Sequence, residues 1–208
     1  GAELVWARGR NPEAVLQEAF EQAQAAGQSP YLIPYGGSSP LGAAAYAEAM
    51  HEFLDQGVDI DVIVLATSSG GTQAGLVAGG RLHGYRGRVL GISVDQPTGA
   101  LRPRIAALAE AVGDVLGESL RVSPDEIEVD DRYCEAGYAV LGEREREAIS
   151  AFARSEGVLL DPVYTGRAAG GLIALAREGR FASSERVLFW HTGGSPALFA
   201  FAGELEPQ

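Results

Sequence analysis

The chain has 208 residues, 46% hydrophobic and 21% charged, which suffices for one sizeable domain or for one domain with part of another. Its 28 acidic residues against 16 basic ones leave a formal charge of -12, which repels phosphate backbones and anionic lipid, and no apolar run approaches the roughly 18 to 20 residues of a membrane helix. Nucleic acid and membrane are therefore poor partners; with a lone Cys134 and no signal peptide, the expected compartment is the cytoplasm.

In chain order, Leu4-Val5-Trp6 is the first strand candidate, and it comes almost at once, as at a mature terminus, behind a tag or in a truncated chain. Asn11-Pro12 sets an N-cap with proline at the first helical position, predicting a helix through Ala26 that Gly27 ends. Tyr31-Leu32-Ile33 reads as a short strand, and the glycine-serine stretch at 36–39 leads into an alanine-rich helix reaching Gln56. Residues 60–66 (IDVIVLA), 88–94 (RVLGISV) and 186–190 (RVLFW) are almost wholly apolar, as strands buried on both faces are. The expected fold class is thus α/β, a three-layer, mostly parallel sheet with helices on both faces. Further helices are expected over residues 72–82, 99–117, 142–157 and 165–177.

The most informative motif is ATSSGGTQAG at 66–75, between a buried strand and an apolar helix. A strand, a glycine turn and a helix N-terminus together make an anion site, and Ser68, Ser69 and Thr72 add hydroxyls. The turn lacks the lysine of a P-loop and the G-x-G-x-x-G of dinucleotide sites, so a monophosphate cofactor is preferred, with a plain tight turn as the alternative. DPVYTGRAAGGL at 161–172 puts Tyr164 and Thr165 at a helix start, where a hydroxyl faces a ligand or caps the helix. FWHTGGSPALFAF at 189–201 puts Thr192 at the carboxyl end of a strand, where open α/β sheets bind ligands. Three such turns converge better on one site than on three unrelated caps. Gly91-Ile92-Ser93-Val94-Asp95 lacks the last glycine of a nucleophile elbow, His51 and His83 read as solvent-facing or packing residues, and no metal-ligand spacing is present. All sixteen basic residues are arginine, so this chain alone can do no lysine chemistry.

These motifs, together with GGSSPLGAAAY at 36–46, resemble the D-cysteine desulfhydrase and 1-aminocyclopropane-1-carboxylate deaminase family, pyridoxal-phosphate (pyridoxal 5'-phosphate) enzymes of the tryptophan-synthase β-subunit fold. The resemblance covers nearly the whole chain and keeps the motifs' order. It implies that residues 1–36 end a small domain and that residues 37–208 form most of the large, cofactor-binding domain. It implies further that Ser69, Gly70, Gly71 and Thr72 hold the cofactor phosphate, that Thr192 faces the pyridine nitrogen, and that Tyr138 and Tyr164 flank an amino-acid substrate. A neutral hydroxyl at Thr192 cannot stabilise a protonated ring as an aspartate would, which suits elimination more than transamination. Thr165 stands where the deaminases carry a glutamate, tilting the reading toward a desulfhydrase.

Members of the family open with a further segment that holds the cofactor-bearing lysine and a Ser-Asn-His stretch; neither is found in this sequence. Arg167 occupies the place where the family often shows lysine in YTGKA, and arginine, always protonated, cannot substitute for it as nucleophile or base. The expected activity is α,β-elimination on D-cysteine or a related D-amino acid, giving pyruvate, ammonia and sulfide, with this chain inactive by itself. The lysine would come from a lost N-terminal segment or a separate complementing chain, and uncovered apolar faces would favour a homo-oligomer or that complementing segment. The alternatives are a 1-aminocyclopropane-1-carboxylate deaminase and a non-catalytic homologue that binds pyridoxal phosphate or another small phosphate.

Overall fold

The apolar runs assemble into a parallel sheet because each supplies the next with both ladder partners and an apolar face. The computed structural model describes residues 1–205. Four strands, β1 (Val62–Thr67), β2 (Arg88–Ser93), β3 (Glu128–Asp130) and β4 (Val187–Phe189), pair in the order β3-β2-β1-β4. Every pairing is parallel, with Val62 opposite Arg88 and Val187, and Leu90 opposite Glu128. The helices are α1 (Pro12–Ala25), α2 (Pro40–Asp55), α3 (Gly71–Leu82), α4 (Thr98–Leu116), α5 (Glu143–Ser155), α6 (Thr165–Arg177) and the short α7 (Ala202–Leu205). No helix among the described residues is long and apolar enough to cross a membrane.

The chain divides into two compact units, residues 1–37 and the residues from Ser38 onward. In the first, α1 starts as its sequence dictates: the Asn11 side chain accepts hydrogen bonds from the N–H groups of Glu13 (2.8 Å) and Ala14 (3.2 Å), with Pro12 at the first helical position. The strands expected at residues 4–6 and 31–33 do not form, and Leu4, Trp6, Tyr31 and Ile33 are exposed. Strand propensity in so short a run yields a strand only where a neighbour completes the ladder and packs on the side chains.

In the second unit, alternation along β1 sends Ile63 and Leu65 to one face, against Met50 and Phe53 of α2 and Leu76 of α3. Val62 and Val64 join the opposite cluster with Leu90, Ile92 and, from α6, Ala168 and Leu175. Both faces of the sheet are therefore covered, as its nearly unbroken apolar strands require. The edge strands depart from the sequence reading. β4 is shorter than residues 186–190 and only half-buried, because among the described strands it pairs on one side alone. β3 was not legible in advance, since Glu-Val-Asp carries a single apolar residue, and it is drawn into the ladder by the free edge of β2.

The helices α2 and α3 touch backbone to backbone. A Cβ at Gly75 would lie 2.2 Å from the Ala43 carbonyl oxygen and 2.6 Å from Tyr46 Cβ, and one at Gly79 would lie 2.5 Å from the Ala47 carbonyl. Substituting Gly75→Ala gains about 1 kcal/mol of helix propensity but forces the helices apart at a cost of about 3 kcal/mol. The expected net loss, about 2 kcal/mol, is read as a lower urea midpoint with unchanged m-value; a midpoint that does not fall would show that the helices are not in this contact.

Candidate active site at the carboxyl edge of the sheet

β1 ends at Thr67, opposite Ser93 of β2, and the chain leaves the sheet through Ser68, Ser69 and Gly70. Gly70 has φ +92°, a left-handed conformation that disfavours any side chain, and a Cβ there would approach Ile105 Cγ1 to 2.8 Å. At Gly71 space alone decides, since a Cβ would lie 2.5 Å from Ser38 Oγ. No side chain caps α3, and its first backbone bond runs from the Ala74 N–H to the Gly70 carbonyl. The amides of Gly71, Thr72 and Gln73 thus precede the helical ladder, at the positive end of the helix dipole. Ser38 Oγ donates to Ser69 Oγ at 2.7 Å, which leaves the Ser69 proton for another acceptor. Ser69 and Thr72 are half-buried and so reachable, while the buried Thr67 hydroxyl has no hydrogen-bond partner among the described residues. With hydroxyls, amides and no carboxylate between residues 66 and 75, the cradle fits a phosphate monoester.

The cradle is held over the sheet by Gln73, fully buried, whose Nε2 donates to the carbonyls of Glu128 (2.7 Å) and Val89 (3.3 Å). Gly91 leaves room for it, since a Cβ there would meet Gln73 Oε1 at 2.2 Å.

The other two motifs pack on each other. The Asp161 carboxylate accepts from the N–H groups of Val163 (2.8 Å), Tyr164 (2.8 Å) and Thr165 (2.7 Å), starting α6. Thr165 is buried; its hydroxyl accepts from the Asp161 N–H at 2.9 Å and donates to Asp161 Oδ1 at 2.8 Å, with the Gly193 carbonyl 3.4 Å away. The Thr165 hydroxyl is thus bonded within the turn that starts α6. Gly194, at φ +100°, comes so near that a Cβ would stand 2.7 Å from the Asp161 side chain. Thr192 is exposed and lies three residues beyond the end of β4; just past that end, Trp190 N–H donates to the Val64 carbonyl at 2.8 Å.

Tyr138 and Tyr164 meet directly, with their hydroxyls 2.5 Å apart and their rings edge to face at 6.0 Å between centroids. The loop bearing Tyr138 begins at Asp131, whose carboxyl is held below the usual carboxylate range chiefly by the Thr98 backbone N–H, at 2.7 Å. Its far side is bound by Arg167, which reaches from α6 to the carbonyls of Gly137 and Val140.

Other candidates lie apart from this chemistry. Ser93 Oγ is buried and donates to the Gln96 carbonyl at 2.5 Å, so it is no exposed nucleophile. His51 and His83 stack on each other at 3.9 Å, and among the described residues no group of three or more His, Cys, Asp or Glu side chains could hold a metal ion. A cavity of about 530 Å³ opens at the opposite, amino edge of the sheet, but its Arg88 is paired with Glu128 and Glu185 and none of the motifs lines it.

Sequence reasoning missed Ser38, Asp161 and the network around Arg167. Asp-Pro before a helix was a usable signal for an aspartate cap; nothing local announced the other two.

Comparison with known proteins places the chain in a family. The pattern of the pyridoxal-phosphate dependent enzyme family matches residues 1–193. The chain belongs to that family, whose cofactor is pyridoxal phosphate. It is 39% identical over 194 residues to a D-cysteine desulfhydrase of Klebsiella pneumoniae, covering 92% of this chain and 58% of that protein. A crystal structure of a homologue of 1-aminocyclopropane-1-carboxylate (ACC) deaminase superposes with a TM-score of 0.83 at 34% identity, covering 95% of this chain and 60% of the other. Threonine deaminase isoform 2 of Solanum lycopersicum shares the fold at a TM-score of 0.53 and 14% identity, covering 97% of this chain and 55% of the other. The chain thus spans about three fifths of the length of these relatives.

Substituting Gly71→Ala pushes a methyl into Ser38 and breaks the Ser38–Ser69 pair. The expected outcome is a weakening of pyridoxal-phosphate binding by about 10-fold or more, close to the loss of one charge-assisted hydrogen bond, measured by titration of cofactor absorbance. Unchanged affinity would place the phosphate elsewhere.

Proposed function

We propose that this chain is the cofactor-gripping part of a pyridoxal-phosphate-dependent lyase that takes D-cysteine or a related D-amino acid through α,β-elimination to pyruvate, ammonia and sulfide. The observation that carries the reading is the uncapped, acid-free start of α3, with Ser69 and Thr72 reachable beside it. In this reading residues 1–36 close a smaller domain and residues 37–208 belong to the large one.

When bound, pyridoxal phosphate supplies an electron sink for the pair of electrons left on Cα after its proton is removed. The Gly71, Thr72 and Gln73 amides and the Ser69 hydroxyl would hold the phosphate, fixing the cofactor at one end. Thr192 would meet the ring nitrogen with a neutral hydroxyl. That hydroxyl keeps the sink moderate and favours loss of a β-substituent over full amino transfer. Tyr138 and Tyr164 would orient the amino acid with paired phenols. Their mutual hydrogen bond fixes the two phenol oxygens relative to each other.

Covalent attachment of the cofactor and removal of the Cα proton need an amine that can lose its proton. With no lysine among 208 residues, that amine is supplied from outside this chain. The choice of D-cysteine over a cyclopropane amino acid follows from Thr165: the position offers no acid, and its hydroxyl is committed to Asp161.

The test is turnover with the chain alone and with a lysine-bearing N-terminal segment of the family added. The expected result is no sulfide from the chain alone, sulfide and pyruvate from D-cysteine when the segment is present, and ammonia from 1-aminocyclopropane-1-carboxylate at least about 100-fold slower, the scale of a site that lacks a needed polar group. Faster turnover of the cyclopropane compound would make it a deaminase. Cofactor binding with no turnover in either case would make it a binding protein.

A further inference from the structure

We propose that Arg167 is a positioning residue that fixes the Tyr138 phenol against Tyr164, an inference that rests on reading these two tyrosines as substrate-facing. Arg167 is fully buried, and a guanidinium in that position costs several kcal/mol unless it is paired and its N–H groups are satisfied. Its Nε donates to Glu145 Oε1 at 2.8 Å, which meets the charge. The rest of the fork goes elsewhere: Nη1 donates to the carbonyls of Val94 (2.7 Å) and Gly137 (2.8 Å), and Nη2 to the carbonyl of Val140 (2.9 Å). Two of these three carbonyls bracket Tyr138.

That bracket is needed because the backbone around Tyr138 does not favour its own shape. Gly137 has φ +94° and Ala139 has φ +58°, the latter a left-handed conformation that costs an alanine about 1 to 2 kcal/mol. Tyr138 is 52% exposed, so packing does not hold it. Its hydroxyl meets the Tyr164 hydroxyl, and Tyr164 lies three residues before Arg167, in the turn locked by Asp161. The start of α6 therefore carries both the phenol that Tyr138 meets and the guanidinium that holds Tyr138 to it. Through Val94, whose N–H donates to the Thr67 carbonyl at 2.9 Å, the same guanidinium is tied to the end of β1, where the phosphate cradle begins. A lysine could neutralise Glu145 but, with donors on one nitrogen, could not reach three carbonyls in a fixed plane.

The experiment uses the complete cofactor-loaded enzyme labelled with 3-fluorotyrosine, the two fluorine resonances being assigned with Tyr138→Phe and Tyr164→Phe. In Arg167→Lys, both resonances are expected to shift, that of Tyr138 narrowing as its ring is released, and kcat/KM to fall about 10-fold or more. Adding Tyr138→Phe to Arg167→Lys should then cost less than about 2-fold further, because both changes remove one interaction. Fluorine resonances that stay in place, or kinetic losses that simply multiply, would reduce Arg167 to a packing role and overturn the proposal. Should Arg167→Lys fail to fold, the wild type decides: separate, slowly exchanging Nη resonances for Arg167 support the clamp, and a freely rotating guanidinium contradicts it. Shifted fluorine resonances with unchanged kinetics would support the clamp while removing the tyrosines from the substrate site, so the two readings fail separately.

Discussion

The start of α3 can face a ligand because no side chain among the described residues caps it. Ordinary helices meet their leading amides with a serine, threonine, aspartate or asparagine at the N-cap. Here the N-cap is Gly70, in a left-handed conformation and pressed on Ile105, so the chain turns from strand to helix with no side chain to spend on the amides. Gly71 then lets Ser38 approach, and Ser38 in turn directs Ser69. The rest of the second unit is arranged around keeping that end in place. Gln73 pins it to β2 and β3, α2 and α3 pack at glycine-only distance behind it, and both faces of β1 are closed by apolar clusters.

A second network surrounds Arg167. A buried ion pair contributes little net stability against an apolar replacement of the same shape, so Arg167 and Glu145 are poorly explained as glue. Their geometry is better explained by what they reach: the end of β2 and both sides of Tyr138. Asp161 complements this by starting α6 and by meeting the 192–194 turn through Thr165 and Gly194. Three loops that are distant in sequence are thereby joined by directed hydrogen bonds, which permit fewer arrangements than apolar contact does.

Much of this was legible in the sequence because its signals are local. Runs such as IDVIVLA announce a parallel strand buried on both faces, and the glycine turn behind that strand leads into a helix, as its sequence suggested. The family was legible for the same reason, since its motifs are short and ordered. What escaped depends on partners far along the chain. β3 exists because β2 offers an edge, and the segments 4–6 and 31–33 fail as strands for want of one. Arg167 reads as a plain departure from a lysine until Val94, Gly137 and Val140 are seen around it. That the Thr165 hydroxyl bonds to Asp161 is likewise seen only once the turn is folded.

The central claim is that the α3 terminus grips a phosphate, and it is tested most directly by comparing pyridoxal phosphate with pyridoxal, which lacks only that group. Calorimetric titration of both into the 208-residue chain should show the phosphorylated compound binding at least about 100-fold more tightly, the equivalent of about 2.7 kcal/mol from the amides and hydroxyls at this helix end. Equal affinities would contradict the account.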